Sequence, residues 1–167
     1  MRTIKYLFII LIVVLALGSC RKIEQLSPVP HIEFISFSVF DAIDILGNSG
    51  KAGILKFYFE DGDGDLGLNE PSENQPDTTN IFFTLYRKTG GTMVPAPFNY
   101  PVRIPYMERL GQNKILKGTI SVNDIDLSYF PGDTIRFDFY IKDRDDNKSN
   151  TVSTCEIPLS VNGLYEN

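Results

Sequence analysis

The segment Asp61-Gly62-Asp63-Gly64-Asp65 places three carboxylates in five residues, alternating with glycine. Like charges held this close repel one another, and the glycines leave the backbone free to wrap them around a hard cation, which takes roughly six to eight oxygen ligands. Calcium (Ca2+) is the natural candidate, and magnesium stays open. The spacing follows an EF-hand loop only through its fifth position. Leu66 stands where that loop requires glycine, and Ser72 where its bidentate glutamate belongs, so further ligands must come from elsewhere in the chain. Zinc and iron are disfavoured, because neither His31 nor Cys155 lies near the cluster in sequence. A second reading stays open beside the cation site: aspartates around glycine also form turns, bonding their own backbone.

The second chemically pointed residue is Cys20. Residues 1–19 run from a basic start (Arg2, Lys5) through the apolar stretch 6–17 to the small pair Gly18-Ser19, which is the layout of a signal peptide. The apolar stretch falls short of the ~20 residues that a helix crossing a bilayer needs. Leu17-Gly18-Ser19-Cys20 resembles the bacterial lipobox, which implies cleavage before Cys20 and lipidation of its thiol. Each buried methylene contributes about 0.8 kcal/mol, so a multiply acylated cysteine anchors a protein by itself. Arg21 follows the cysteine, where an aspartate would mark inner-membrane retention, so the outer membrane of the cell envelope is the expected location. Residues 20–30 then serve as a tether containing Ser27-Pro28-Val29-Pro30. Cys155 is left as a buried free thiol, with His31 too distant in sequence to act as its base.

These groups must be positioned by a domain spanning 31–167. Loss of 1–19 leaves 14 basic against 21 acidic side chains, a net of −7, which opposes binding to nucleic acid. Twelve Phe and eight Tyr can fill a core. Short alternating segments rich in Phe, Tyr, Ile, Val and Thr predict strands at 31–40, 53–60, 81–88, 100–106, 114–122, 133–142 and 150–157. In 133–142, Ile135, Phe137, Phe139 and Ile141 share one face, and in 53–60 Leu55, Phe57 and Phe59 do the same, so both segments are expected to lie centrally with those faces inward. The expected fold is an all-β, immunoglobulin-like antiparallel sandwich of about seven strands.

The stretch from Asp126 to Ser149 also resembles the last third of fibronectin type III and bacterial immunoglobulin-like domains. Pro131-Gly132-Asp133-Thr134 leads into an alternating strand, and Asp143-Arg144-Asp145-Asp146-Asn147-Lys148-Ser149 follows it. Asp146 stands where that family usually has glycine. Together with the lipobox and the phrase Phe59-Glu60-Asp61-Gly62-Asp63-Gly64-Asp65-Leu66-Gly67, the chain resembles a family of small Bacteroidota-type lipoproteins with no established activity.

In such a sandwich the loops after 53–60 and 133–142 emerge at one end. Continuing the strand alternation puts Asp61 and Asp63 on the inward side of one strand and Asp143 and Asp145 on that of the other. The expected metal ligands are therefore Asp61, Asp63, Asp65, Asp143 and Asp145. The loop 68–80 exceeds the length usually found without a role, and its Asp77-Thr78-Thr79 resembles a short O-glycosylation signal. Phe98, Tyr100 and Tyr106 could stack on sugars, although the absence of tryptophan weighs against it. Three functions follow in order of expectation: a non-catalytic interaction or structural domain stiffened by calcium, a glycan-binding accessory protein of the outer membrane, and a carboxylate-based hydrolase. The last lacks a nucleophile elbow, metal-binding histidines and a phosphate loop.

Overall fold

The structure is a computed structural model that describes residues 26–44, 46–72, 79–108, 114–127 and 133–166. The signal segment, Cys20, residues 73–78 with most of the glycosylation-like triplet, and the Pro131-Gly132 turn lie outside the described residues. Among them the chain forms nine strands: β1 (His31–Ile43), β2 (Ser49–Asp61), β3 (Ile81–Thr89), β4 (Thr92–Ala96), β5 (Leu116–Asp126), β6 (Thr134–Ile141), β7 (Val152–Ser153), β8 (Ile157–Pro158) and β9 (Gly163–Glu166). They make two antiparallel sheets, one in the order β5-β2-β1-β9 and one in the order β4-β3-β6-β7, with β8 also paired to β6. The protein is an all-β sandwich, as its alternation requires.

The core lies between the sheets. Leu55, Phe57 and Phe59 of β2 and Ile135, Phe137, Phe139 and Ile141 of β6 are all buried, so the two predicted central strands present the faces their period dictates. Phe37 stacks on Phe137 with ring centroids 5.7 Å apart, and Phe57 meets Phe139 at 5.3 Å, carrying aromatic contact from one sheet to the other. In β1 simple alternation would send Ile32 and Phe34 to one face and Phe37 and Val39 to the other. A bulge between Phe34 and Ser36 inserts the extra residue that brings all four inward.

Two departures from the predicted strands have clear causes. Residues 100–106 do not form a strand: they run beside the sheets with isolated bridges at Val102 and Pro105, and the fourth strand is instead β4, a hairpin partner of β3 across Gly90-Gly91. Two prolines, at 101 and 105, deny 100–106 a continuous ladder, whereas Pro95 is tolerated in β4 because that strand lies on an edge. The predicted strand 150–157 is split into β7 and β8. Beside it, the Ser149 and Thr154 hydroxyls accept hydrogen bonds from the β6 amides of Ile141 (3.0 Å) and Phe137 (3.1 Å), replacing carbonyls that a regular strand would supply. Cys155 therefore leaves strand parity and is half-buried rather than buried, while Ile157 and Leu159 are fully enclosed. Partial burial still pushes its thiol pKa up, and it is free of a disulfide.

Candidate metal centre

Asp61 is the last residue of β2, and the parity that buries Leu55, Phe57 and Phe59 carries its carboxylate inward to complete burial. Its Oδ2 accepts a hydrogen bond from the Leu66 amide at 2.9 Å, which closes the loop back on its origin. Its Oδ1 is also buried, and no hydrogen-bond donor among the described residues meets it. The Asp65 Oδ1 is in the same position. Gly64 adopts φ 68°, the left-handed turn that folds Asp65 back toward Asp61 and Asp63. One oxygen from each of Asp61, Asp63 and Asp65 then lies within 4.8 Å of the others.

This arrangement is electrostatically unfavourable in the absence of a cation. Burial is the main cause that raises the Asp61 pKa to about 6, with contact and repulsion from Asp63 adding to it. Asp65 is also raised to about 6, by burial first and then by the charges of Asp143, Asp63 and Asp145, partly offset by Arg144. Three carboxylates with oxygens this close, two of them carrying an oxygen that meets no donor among the described residues, offer part of a coordination shell for a hard cation.

The loop is held by the rest of the molecule. The Gly62 amide donates to the Ser27 carbonyl (2.9 Å), and Leu66 is fully buried. Leu68 N donates to the Ile104 carbonyl at 2.9 Å, so 100–106 serves as the wall of the site rather than as a strand. Arg144, from the loop after β6, donates to the carbonyls of Gly67 (2.8 Å) and Leu66 (3.4 Å) and stacks on Tyr106 at 5.0 Å. The loops after β2 and β6 therefore meet at one end, as the topology requires.

Of the five expected ligands, the structure brings Asp61, Asp63 and Asp65 together and leaves Asp143 and Asp145 outside that close group. Asp143 is buried, as its parity implies, but its Oδ1 accepts from the Asn147 amide (2.8 Å) and its Oδ2 from the Asn147 side-chain amide (2.9 Å). It organises its own turn. In that turn Asp146 takes φ 66°, a left-handed conformation that aspartate tolerates better than most residues. Asp145 is exposed, and both charges are near enough to raise the Asp65 pKa. Comparison with protein-family models, with curated proteins and with solved structures finds no match. The chemistry of the site rests on its own geometry.

Arg144 and Ser27 are the participants that sequence reasoning missed. A lone arginine inside Asp143-Arg144-Asp145-Asp146 was the available signal for the first; the second acts through its backbone and leaves none. The aromatic residues considered for sugar stacking are otherwise engaged. Phe98 packs at 5.0 Å on Phe137 and edge-on to Phe83, and the Tyr100 hydroxyl donates to the Asp124 carbonyl at 3.1 Å.

Proposed function

We propose that this chain is a lipid-anchored envelope protein whose β-sandwich is a non-catalytic interaction or structural domain, with calcium bound at the Asp61–Asp65 loop and stiffening that end. The observation that carries the reading is the fully buried Asp61 carboxylate, whose Oδ1 meets no donor among the described residues and one of whose oxygens lies within 4.8 Å of carboxylate oxygens from Asp63 and Asp65. A buried charge without a partner is costly, and a cation that takes up three carboxylate oxygens turns that cost into binding energy. Complete burial of Asp61 also closes it to a substrate, which favours a structural role over hydrolysis. The pairing of β2 with β5 and of β6 with β3 and β7 follows the order in which immunoglobulin-like sandwiches place their strands, and it supports that finer description of the fold.

The anchor rests on the lipobox resemblance at Cys20. Cys20→Ala should leave an uncleaved precursor that incorporates no labelled fatty acid, and equal labelling of variant and native chains would remove the anchor from this account. For the cation, addition of calcium to the metal-stripped chain should raise its melting temperature, and Asp63→Asn should erase that rise.

A further inference from the structure

Gly62 lies between two of the converging carboxylates, and it is also where the chain leading into the domain crosses the loop. Its amide donates to the Ser27 carbonyl at 2.9 Å. A methyl group on its α-carbon would collide with the carbonyl oxygens of both Leu26 and Ser27, so the incoming segment is packed directly on the loop backbone. On the far side of that contact Pro30 is buried and His31 begins β1, paired with Glu60. Pro28 and Pro30 each fix one backbone angle, and Val29 N donates to the Ser27 hydroxyl at 3.0 Å. The segment 27–31 is therefore a short stiff arm, held at one end by the sheet and at the other by a single amide of the acidic loop.

We propose that cation binding by Asp61, Asp63 and Asp65 and docking of residues 26–28 on Gly62 are one coupled event, so that calcium governs whether the domain is clasped to its tether or swings free of it. The proposal rests on the cation reading above and adds a regulated partner, the tether itself. Drawing the three carboxylates around one ion fixes the backbone between them, and the Gly62 amide then points permanently at Ser27. Without the ion the carboxylates repel one another, the loop opens, and that amide turns away. Coupling of this kind is reciprocal: a ligand that favours the docked arm must itself be bound more tightly when the arm is docked. Leu26 lies six positions after Cys20, at most about 20 Å of extended chain, so clasping would also turn the acidic end of the sandwich toward the anchor.

Hydrogen exchange of the full chain in detergent, with calcium or with chelator, reads both halves of the proposal. Calcium should slow exchange of the Gly62 and Val29 amides together by about tenfold or more, within the usual range of coupling between sites. Gly62→Ala, which keeps all three carboxylates, should weaken calcium affinity several-fold and abolish the calcium-dependent protection of Val29. If the native chain binds calcium but Gly62 and Val29 exchange at the same rate with and without it, or if Gly62→Ala binds calcium with native affinity, the coupling is overturned and the cation site survives. If the native chain binds no calcium, the cation reading falls and the coupling with it. The exchange comparison needs no substitution, so it decides the matter even if Gly62→Ala does not fold.

Discussion

Aspartate opens a turn at each end of β2, and the two turns treat their carboxylates in opposite ways. At the hairpin between β1 and β2, Asp44 Oδ1 accepts from the amides of Leu46 and Asn48, both at 2.8 Å, and Oδ2 accepts from the Asn48 side chain at 2.8 Å. The carboxylate is exposed and its pKa is lowered, first by the Asn48 side chain and then by backbone donors. At the other end of β2, Asp61 has one amide donor, complete burial, two carboxylate neighbours and a pKa raised to about 6. Asp143, close to the second site, nonetheless follows the first pattern, with Asn147 serving it as Asn48 serves Asp44. A turn-forming aspartate is recognised by its donors; Oδ1 of Asp61 and Oδ1 of Asp65 meet none among the described residues and have carboxylate oxygens nearby instead.

The largest effect that can break this comparison is the response to calcium. At a concentration one hundred times its dissociation constant, calcium should stabilise the chain by about 2.7 kcal/mol, roughly 10 °C in melting temperature for a domain of this size. Asp63→Asn should lose the shift and melt at or above the native chain in chelator, because it relieves repulsion. A turn-forming aspartate at that position would instead give a variant less stable in chelator and unchanged in its response.

Asp143→Ala should behave in the opposite way. It strands the half-buried Asn147 amide donors, at a cost of about 1 kcal/mol, and it should lower thermal stability in chelator as well as in calcium. A variant as stable as the native chain in chelator would place Asp143 with the repelling group.

The pH dependence separates the two classes by sign. Asp61 and Asp65, raised to about 6, hold protons in the folded chain that the unfolded chain has already released above pH ~4. Stability from these groups is present at low pH and lost as pH rises through about 6, so the metal-stripped chain should weaken across that window and calcium should flatten the decline. Asp44, with a lowered pKa, contributes in the other direction: its stabilisation is present above the usual carboxylate range and lost as pH falls through its folded value. Denaturant melts at stepped pH, with chelator and with calcium, measure both slopes. The smallest effect is Asp44→Ala, which should lower the melting temperature slightly and leave the calcium shift untouched.

What the sequence reveals follows the same division between local pattern and long-range partner. The faces of β2 and β6 are legible because strict alternation is a two-residue property. The convergence of Asp61, Asp63 and Asp65 is legible because D-G-D-G-D forces it within five residues. The turn after β6 is implied by the resemblance of 126–149 to fibronectin type III and immunoglobulin-like domains, and the left-handed φ of Asp146 needed the structure. The β1 bulge was not legible, since Ile35 looks like any other strand residue until its neighbours show that a face must be recovered. β9 escaped because Gly163-Leu164-Tyr165-Glu166 is too short to show a period and owes its strand to pairing with Ser36–Val39. The expectation that Asp143 is a ligand rests on strand parity and on the two loops emerging at one end. Parity gives the direction of a side chain and says nothing of Asn147, which takes up both of its oxygens.

The most direct test is calorimetric titration of calcium into the metal-stripped chain at neutral pH. A single saturable site is expected, with a dissociation constant of about 0.1–1 mM, as for extracellular calcium modules, and with no heat when Asp61 is replaced by Asn. Absence of binding heat from the native chain through millimolar calcium would contradict the account and return Asp61, Asp63 and Asp65 to the class of Asp44.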